Sequence, residues 1–224
     1  MAIPARAAFD RQLHTLLDDT LLLGSMVEKA IERSIDSLVR LDADLARQVI
    51  ADDSQINSRR YRLEEDAVLL IATQQPMAGD LRLIASVIHI STDLERIGDY
   101  AAGIAKIVLM HGDQPPVKPL IDIPRMAEMG RSMLRRSLDA LVRRDVDGAR
   151  AIVEEDDQVD ALYDQIYREL LVYMIEDPKV IHRATWLLWA AHNVERIADR
   201  ATNICERVVY MVTGQIEELD ASKY

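Results

Sequence analysis

One cysteine, Cys205, stands in 224 residues, so no disulfide forms within the chain. Positive charge is also short. Against 38 Asp and Glu there are 27 Lys and Arg, giving a formal net charge of -11 and a pI near 4.9. That balance argues against a nucleic-acid surface, which needs clustered cations and gains affinity from counterion release. A basic partner or bound cations suit it better. No apolar run approaches the ~20 residues of a spanning helix, so direct membrane insertion is not expected. The start "MAIPARAAFD" has neither a basic nor an apolar leader region, and cytoplasmic residence is the default expectation. No Gly-x-Gly-x-x-Gly, Walker loop or Gly-x-Ser-x-Gly turn occurs, which disfavours an enzyme. Breakers are scarce too, with eight glycines and seven prolines. Four of the prolines (Pro115, Pro116, Pro119, Pro124) fall in "HGDQPPVKPLIDIP", which reads as a linker between long helical stretches.

What the chain does have is a repeat. "SIDSLVRLDADLARQVIADDSQIN" from Ser34 matches "SLDALVRRDVDGARAIVEEDDQVD" from Ser137, 103 positions on, with Asp36/Asp139, Arg40/Arg143, Arg47/Arg150 and Gln55/Gln158 retained. Further along, "DLERIGDYAAGIAK" from Asp93 matches "NVERIADRATNICERV" from Asn193 at an offset of 100, which places a small deletion at the "QQPMAGD" and "EDPKV" turns. In each half helical periodicity breaks at an Asp able to cap the next helix and again at Pro76 or Pro178.

Three long helices per half result: Phe9 to Leu41, Asp44 to Thr73 and Pro76 to Met110, then Ile123 to Arg144, Asp147 to Ile175 and Pro178 to Thr213. Apolar and small residues alternate at spacings of three and four along the third helix (Ile84, Val87, Ser91, Leu94, Gly98, Ala101) and the sixth (Ala184, Leu187, Ala191, Val194, Ala198, Ala201). The expected fold is all-α: two antiparallel three-helix bundles related by internal duplication, over residues 1–112 and 125–224, joined by a Pro-rich linker at 113–124.

Certain acids do not fit the packing. Glu95 and Asp99 lie four apart on one helix face, as do Glu195 and Asp199. Like charges at that spacing cost about 0.2 to 0.5 kcal/mol per pair unless a cation or basic side chain sits between them. Asp53 and Asp156 interrupt the apolar stripes of the second and fifth helices, and four residues later stand Asn57 and Asp160. A carboxylate partly desolvated there must be paired with arginine, protonated or metal-bound. For Asp53 the competing reading is an ion pair with Arg60 or with an arginine of a neighbouring helix. Asp156 weakens that alternative, because its neighbour is Tyr163. The duplication favours one carboxylate metal site per bundle.

The repeated ERIGD and ERIAD cores, the Asp-rich starts of helices two and five and the "QPMAGDLR" turn resemble the PhoU family over essentially the whole chain. The resemblance implies two three-helix bundles whose acidic motifs bind multinuclear iron or zinc clusters. It nominates Asp53, Glu95 and Asp99 in the first half and Asp156, Asp160, Glu195 and Asp199 in the second. Asn57 departs from the motif's Asp and leaves the first site less negative. The resemblance further implies a cytoplasmic negative regulator of phosphate uptake, an adaptor between the phosphate ABC transporter's ATPase and the sensor histidine kinase. A homodimer is expected. A carboxylate-bridged metalloenzyme and a structural helical tether are the competing classes. Glu-x-x-His pairs are absent, which disfavours a ferritin-like di-iron enzyme, and His192 reads as a surface residue beside the second acid group. Trp186 and Trp189, three apart, read as packing on the other bundle ahead of a partner patch.

Overall fold

Few breakers leave the backbone free to run helical, and seven α-helices form with no strand among the described residues. A computed structural model describes residues 5–112 and 114–219; the outer ends of the expected 1–112 and 125–224 spans, and Asp113, lie outside it. The helices are α1 (Ala5–Arg40), α2 (Ala43–Gln74), α3 (Gly79–His111), α4 (Asp122–Arg143), α5 (Val146–Val153), α6 (Asp156–Glu176) and α7 (Ile181–Thr213).

Local chemistry sets the ends. Asp42 caps α2 by accepting from the Asp44 and Leu45 N–H groups at 3.0 and 2.9 Å, and Asp145 caps α5 by accepting from the Gly148 N–H at 2.9 Å. Both prolines start their helices later than the pattern predicts. The residue before a proline avoids the right-handed helical region, and Gln75 adopts φ 48, so α3 begins only at Gly79. Pro178 opens a single 3₁₀ turn, Pro178–Val180, ahead of α7.

The predicted fifth helix is interrupted. At Glu154–Glu155 the hydrogen bonds tighten, Glu155 N–H donating to Ile152 O at 3.1 Å and Gln158 N–H to Glu155 O at 3.0 Å. Four successive acids, Glu154 to Asp157, crowd this point, and Arg136 clamps Glu155 with two bonds of 2.6 and 2.8 Å. The matching stretch of α2 has Ala51 and Ser54 at its ends and stays unbroken.

α1, α2 and α3 pack together, as do α4, α5, α6 and α7. The two sets meet along α3 and α7, the most extensive helix pair, and again where α1 crosses α4. α3 and α7 run antiparallel. Arg82 and Ser86 near the start of α3 donate to the Met211 and Arg207 carbonyls near the end of α7, and Trp186 near the start of α7 lies 5.7 Å from His111 at the end of α3. Trp186 thus packs on the other bundle, whereas Trp189 is half exposed.

Both central helices are buried on more than the single stripe read from the sequence. Besides Ile84, Val87, Leu94 and Ala101, α3 buries Leu83, Ile90, Ile97 and Ile104, seven residues apart, and α7 likewise buries Ala190, Ile197 and Ile204. Each such Ile or Leu contributes about 1.5–3 kcal/mol by leaving water. Small residues permit the close approaches: a Cβ at Gly103 would stand 3.0 Å from Asn193 Oδ1 on α7, and one at Gly24 only 2.3 Å from Leu138 Cδ1 on α4.

Candidate functional site

The helix pair α2 and α3 brings the first acid group together. Asp53 of α2 feels both Asp99 and Glu95 of α3, the next helix in the chain. Burial holds the Asp53 carboxyl above its usual range, with repulsion from Asp99 adding to it and Lys106 and Asn57 opposing. Glu95 is raised for the same reasons, burial first and Asp99 second, against Arg96 and Arg60. Asn57 donates its amide to Asp53 Oδ2 at 3.2 Å, leaving Asp53 Oδ1 and Asn57 Oδ1 buried without a hydrogen bond among the described residues. Gly98 lets the helices approach here, since a Cβ on it would meet Ile56 at 3.2 Å and Asp53 Oδ1 at 3.4 Å. Arg60 bonds Glu64 at 3.0 Å on its own helix, not Asp53.

The second group gathers Glu195 and Asp199 of α7 with Asp160 of α6. Burial raises the Glu195 carboxyl first, then Asp199, and Asp160 adds to it. His192 opposes that shift, its Nδ1 lying 2.8 Å from Glu195 Oε2. Asp156 is buried in the first turn of α6, one turn before the exposed Asp160. The second face is the more enclosed: the Glu195 side chain is 13% exposed against 19% for Glu95, and Asp199 26% against 38% for Asp99.

Each motif also carries its own arginine. Arg96 reaches Asp99 at 3.0 Å, and Arg196 reaches Asp199 at 2.8 Å. The donor chemistry suits a hard cation, because carboxylates raised by burial and mutual repulsion gain from a positive charge between them. The number of donors does not close a cage. Among the described residues no three His, Cys, Asp or Glu side chains come together as a metal-holding group. A multinuclear cluster would need these side chains to rearrange or a second molecule to supply donors.

Sequence reasoning passed over a second duplicated element beside the acids. Arg33 binds Asp52 at 2.5 Å and Arg136 binds Glu155 at 2.6 Å, joining the first helix of each bundle to the acid-bearing one. Both pairs keep the offset of 103, the signal that could have found them. Asp93 was missed for a different reason, since its repeat partner is Asn193. It lies between the bundles and accepts from Arg200 and Asn203 at 3.3 and 3.4 Å. Burial lifts the Cys205 thiol to about 12, so it is an unreactive core residue.

Comparison with known proteins covers both halves. The PhoU domain family model matches residues 20–108 and again 123–208. The chain is 40% identical to the phosphate-specific transport system accessory protein PhoU homolog of Rhizobium meliloti over 93% of this chain and 88% of that one. It is 36% identical to the accessory protein PhoU of Escherichia coli K12 over 92% and 86%. The crystal structure of PhoU from Pseudomonas aeruginosa superimposes with a TM-score of 0.88 at 36% identity, covering 92% of this chain and all of that one. The phosphate transport system regulatory protein PhoU from Streptococcus pneumoniae gives 0.88 at 32% identity over 94% and 99%.

Proposed function

The chain belongs to the PhoU family, and from that premise we propose that it is a cytoplasmic negative regulator of phosphate uptake and phosphate-starvation signalling. In this reading it bridges the ATPase of the phosphate ABC transporter and the sensor histidine kinase. The observation that carries it is the match of both halves, in order, to the same domain, with relatives named as accessory proteins of phosphate transport aligned over nearly their whole length. No helix among the described residues is long and apolar enough to cross a membrane. Deleting the gene, together with any homologue in the same cell, should leave phosphate-starvation genes active in phosphate-rich medium. Normal repression in that strain would contradict the reading.

The acid groups serve this role as cation sites. Asp53, Glu95 and Asp99 hold a cation on the first face, and Asp156, Asp160, Glu195 and Asp199 hold one on the second. The cation's part is to neutralise the carboxylates and stiffen the helix pairs that carry them. Because so few donors gather at one point, a hydrated divalent ion, bound directly by one or two of these carboxylates and through its water to the others, suits the faces. Iron or zinc clusters would demand a rearranged first shell. Asn57 leaves the first face one carboxylate short, so the second binds more tightly.

A further inference from the structure

Internal duplication supplies a template for reading an open groove. In the second bundle the segment between α3 and α4 is fastened by one lysine. Lys118, with its side chain only 11% exposed, donates to Asp122 at 2.9 Å and to Glu169 of α6. Val117 and Leu120 on either side pack against the core, and Arg183 holds the Pro115 carbonyl at 2.8 Å. The lysine stem runs along apolar surface and its ammonium closes on two carboxylates.

The same register in the first bundle reads Thr15 for Lys118, Asp19 for Asp122 and Asp66 for Glu169. Here α1 is already helical, and its threonine turns back to bond the Arg11 carbonyl at 3.1 Å. Among the described residues no cation bridges the two acids. Asp19 takes Arg59 at 2.6 Å from one side, and Asp66 is exposed with no ion pair among the described residues. Between α1 and α2 this leaves a groove of about 460 Å³ lined by Thr15, Leu16, Asp19, Asp66, Leu69 and Leu70. Leu69 is 60% exposed, and the neighbouring Val68 and Met77 are also open to solvent.

We propose that this groove docks an extended segment of a partner protein carrying a lysine flanked by aliphatic residues and proline, its ammonium set between Asp19 and Asp66 as Lys118 is between Asp122 and Glu169. Charge complementarity selects the lysine, and the Leu16, Leu69 and Leu70 floor selects its aliphatic neighbours. The groove shares no residue with the acid faces, so either reading can fail without the other.

The probe is a capped peptide copying residues 114–121, Gln-Pro-Pro-Val-Lys-Pro-Leu-Ile, titrated into the full chain at low ionic strength and followed by amide NMR shifts. Saturable shifts at Thr15, Asp66 and Leu69 are expected, weakening with added salt. Norleucine in place of the peptide lysine, or Asp66→Asn in the protein, should each weaken binding by up to about fivefold, the upper end of what a surface ion pair contributes. Thr15→Lys should abolish the shifts by placing the protein's own ammonium there, while the melting temperature holds or rises. The proposal is overturned if millimolar peptide leaves these amides unmoved, or if Thr15→Lys binds as the parent does. A concentration-dependent dimer lost in Thr15→Lys, without peptide binding, would assign the groove to a second copy and overturn it as well.

Discussion

His111 and Met211 hold the same repeat position, yet only one of them titrates. His111 is 2% exposed, lies against Trp186, and has no side-chain hydrogen bond to either ring nitrogen among the described residues. Burial pushes its pKa below 6.5, the Gly112 backbone offsets part of that, and Arg183 lowers it further. A histidine depressed in the folded state stabilises the fold fully above its unfolded pKa, and that contribution is lost as pH falls through the folded one. Stability should therefore decline as pH drops below about 6.5. In His111→Met, which borrows the second repeat's residue, the decline between pH 7.5 and 5 should be shallower. Parallel thermal melts of the two proteins across that range check it; equal slopes would mean that His111 is not buried as a neutral group. The acids behave in the opposite sense. Asp53, Glu95 and Glu195 are all raised, so their ionisation works against the fold as pH rises through their folded pKa values, unless a cation compensates.

Helix contacts depend on a few small residues, and Gly24 is the most constrained. A Cβ there would fall 2.3 Å from Leu138 Cδ1. Gly24→Val should destabilise by roughly 1–3 kcal/mol through overpacking. Leu138→Ala, which is costly alone, should cost less in the Gly24→Val background, with a coupling of about 0.5 kcal/mol or more. Urea unfolding of the four proteins measures it, and strict additivity would show that α1 and α4 do not meet at this pair. Much of this level was legible in the sequence. The seam residues of α3 and α7, from Ile84 and Ala184 onward, are buried as their spacing predicts, and the Asp42 and Asp145 caps follow from residue type. The second buried stripe was hidden because Leu83, Ile90, Ile97 and Ile104 stand beside seam residues and read as extra breadth of one face. The break at Glu154–Glu155 was hidden because no Gly or Pro marks it; what distinguishes this stretch from the unbroken α2, which has an equivalent ion pair, is its run of four acids. In the site, the grouping of acids was readable from i, i+4 spacing, whereas the pairing of Arg96 and Arg196 with Asp99 and Asp199 depends on rotamers that spacing does not set.

At the scale of the molecule, α3 and α7 serve two purposes at once. Each carries an acid pair toward its own bundle, packs on the other helices of that bundle, and meets its counterpart in the other bundle, with Asp93, Arg200 and Asn203 across the junction. A change in stiffness at either acid face therefore falls on the helices that join the bundles. Of the two proposed cation sites, the second, with four carboxylates and greater enclosure, should be the stronger. The direct measurement is a set of thermal melts on protein stripped with chelator and titrated with Mn²⁺ at fixed salt. Three proteins are compared: the parent, Glu95→Gln with Asp99→Asn, and Glu195→Gln with Asp199→Asn. A ligand that binds only the folded state adds about 2.7 kcal/mol at a hundredfold excess over its Kd. The account predicts that the parent's melting temperature rises with Mn²⁺, that the second-face variant loses most of the rise, and that the first-face variant loses less. A parent that does not respond to Mn²⁺, or an equal response in all three proteins, would contradict it.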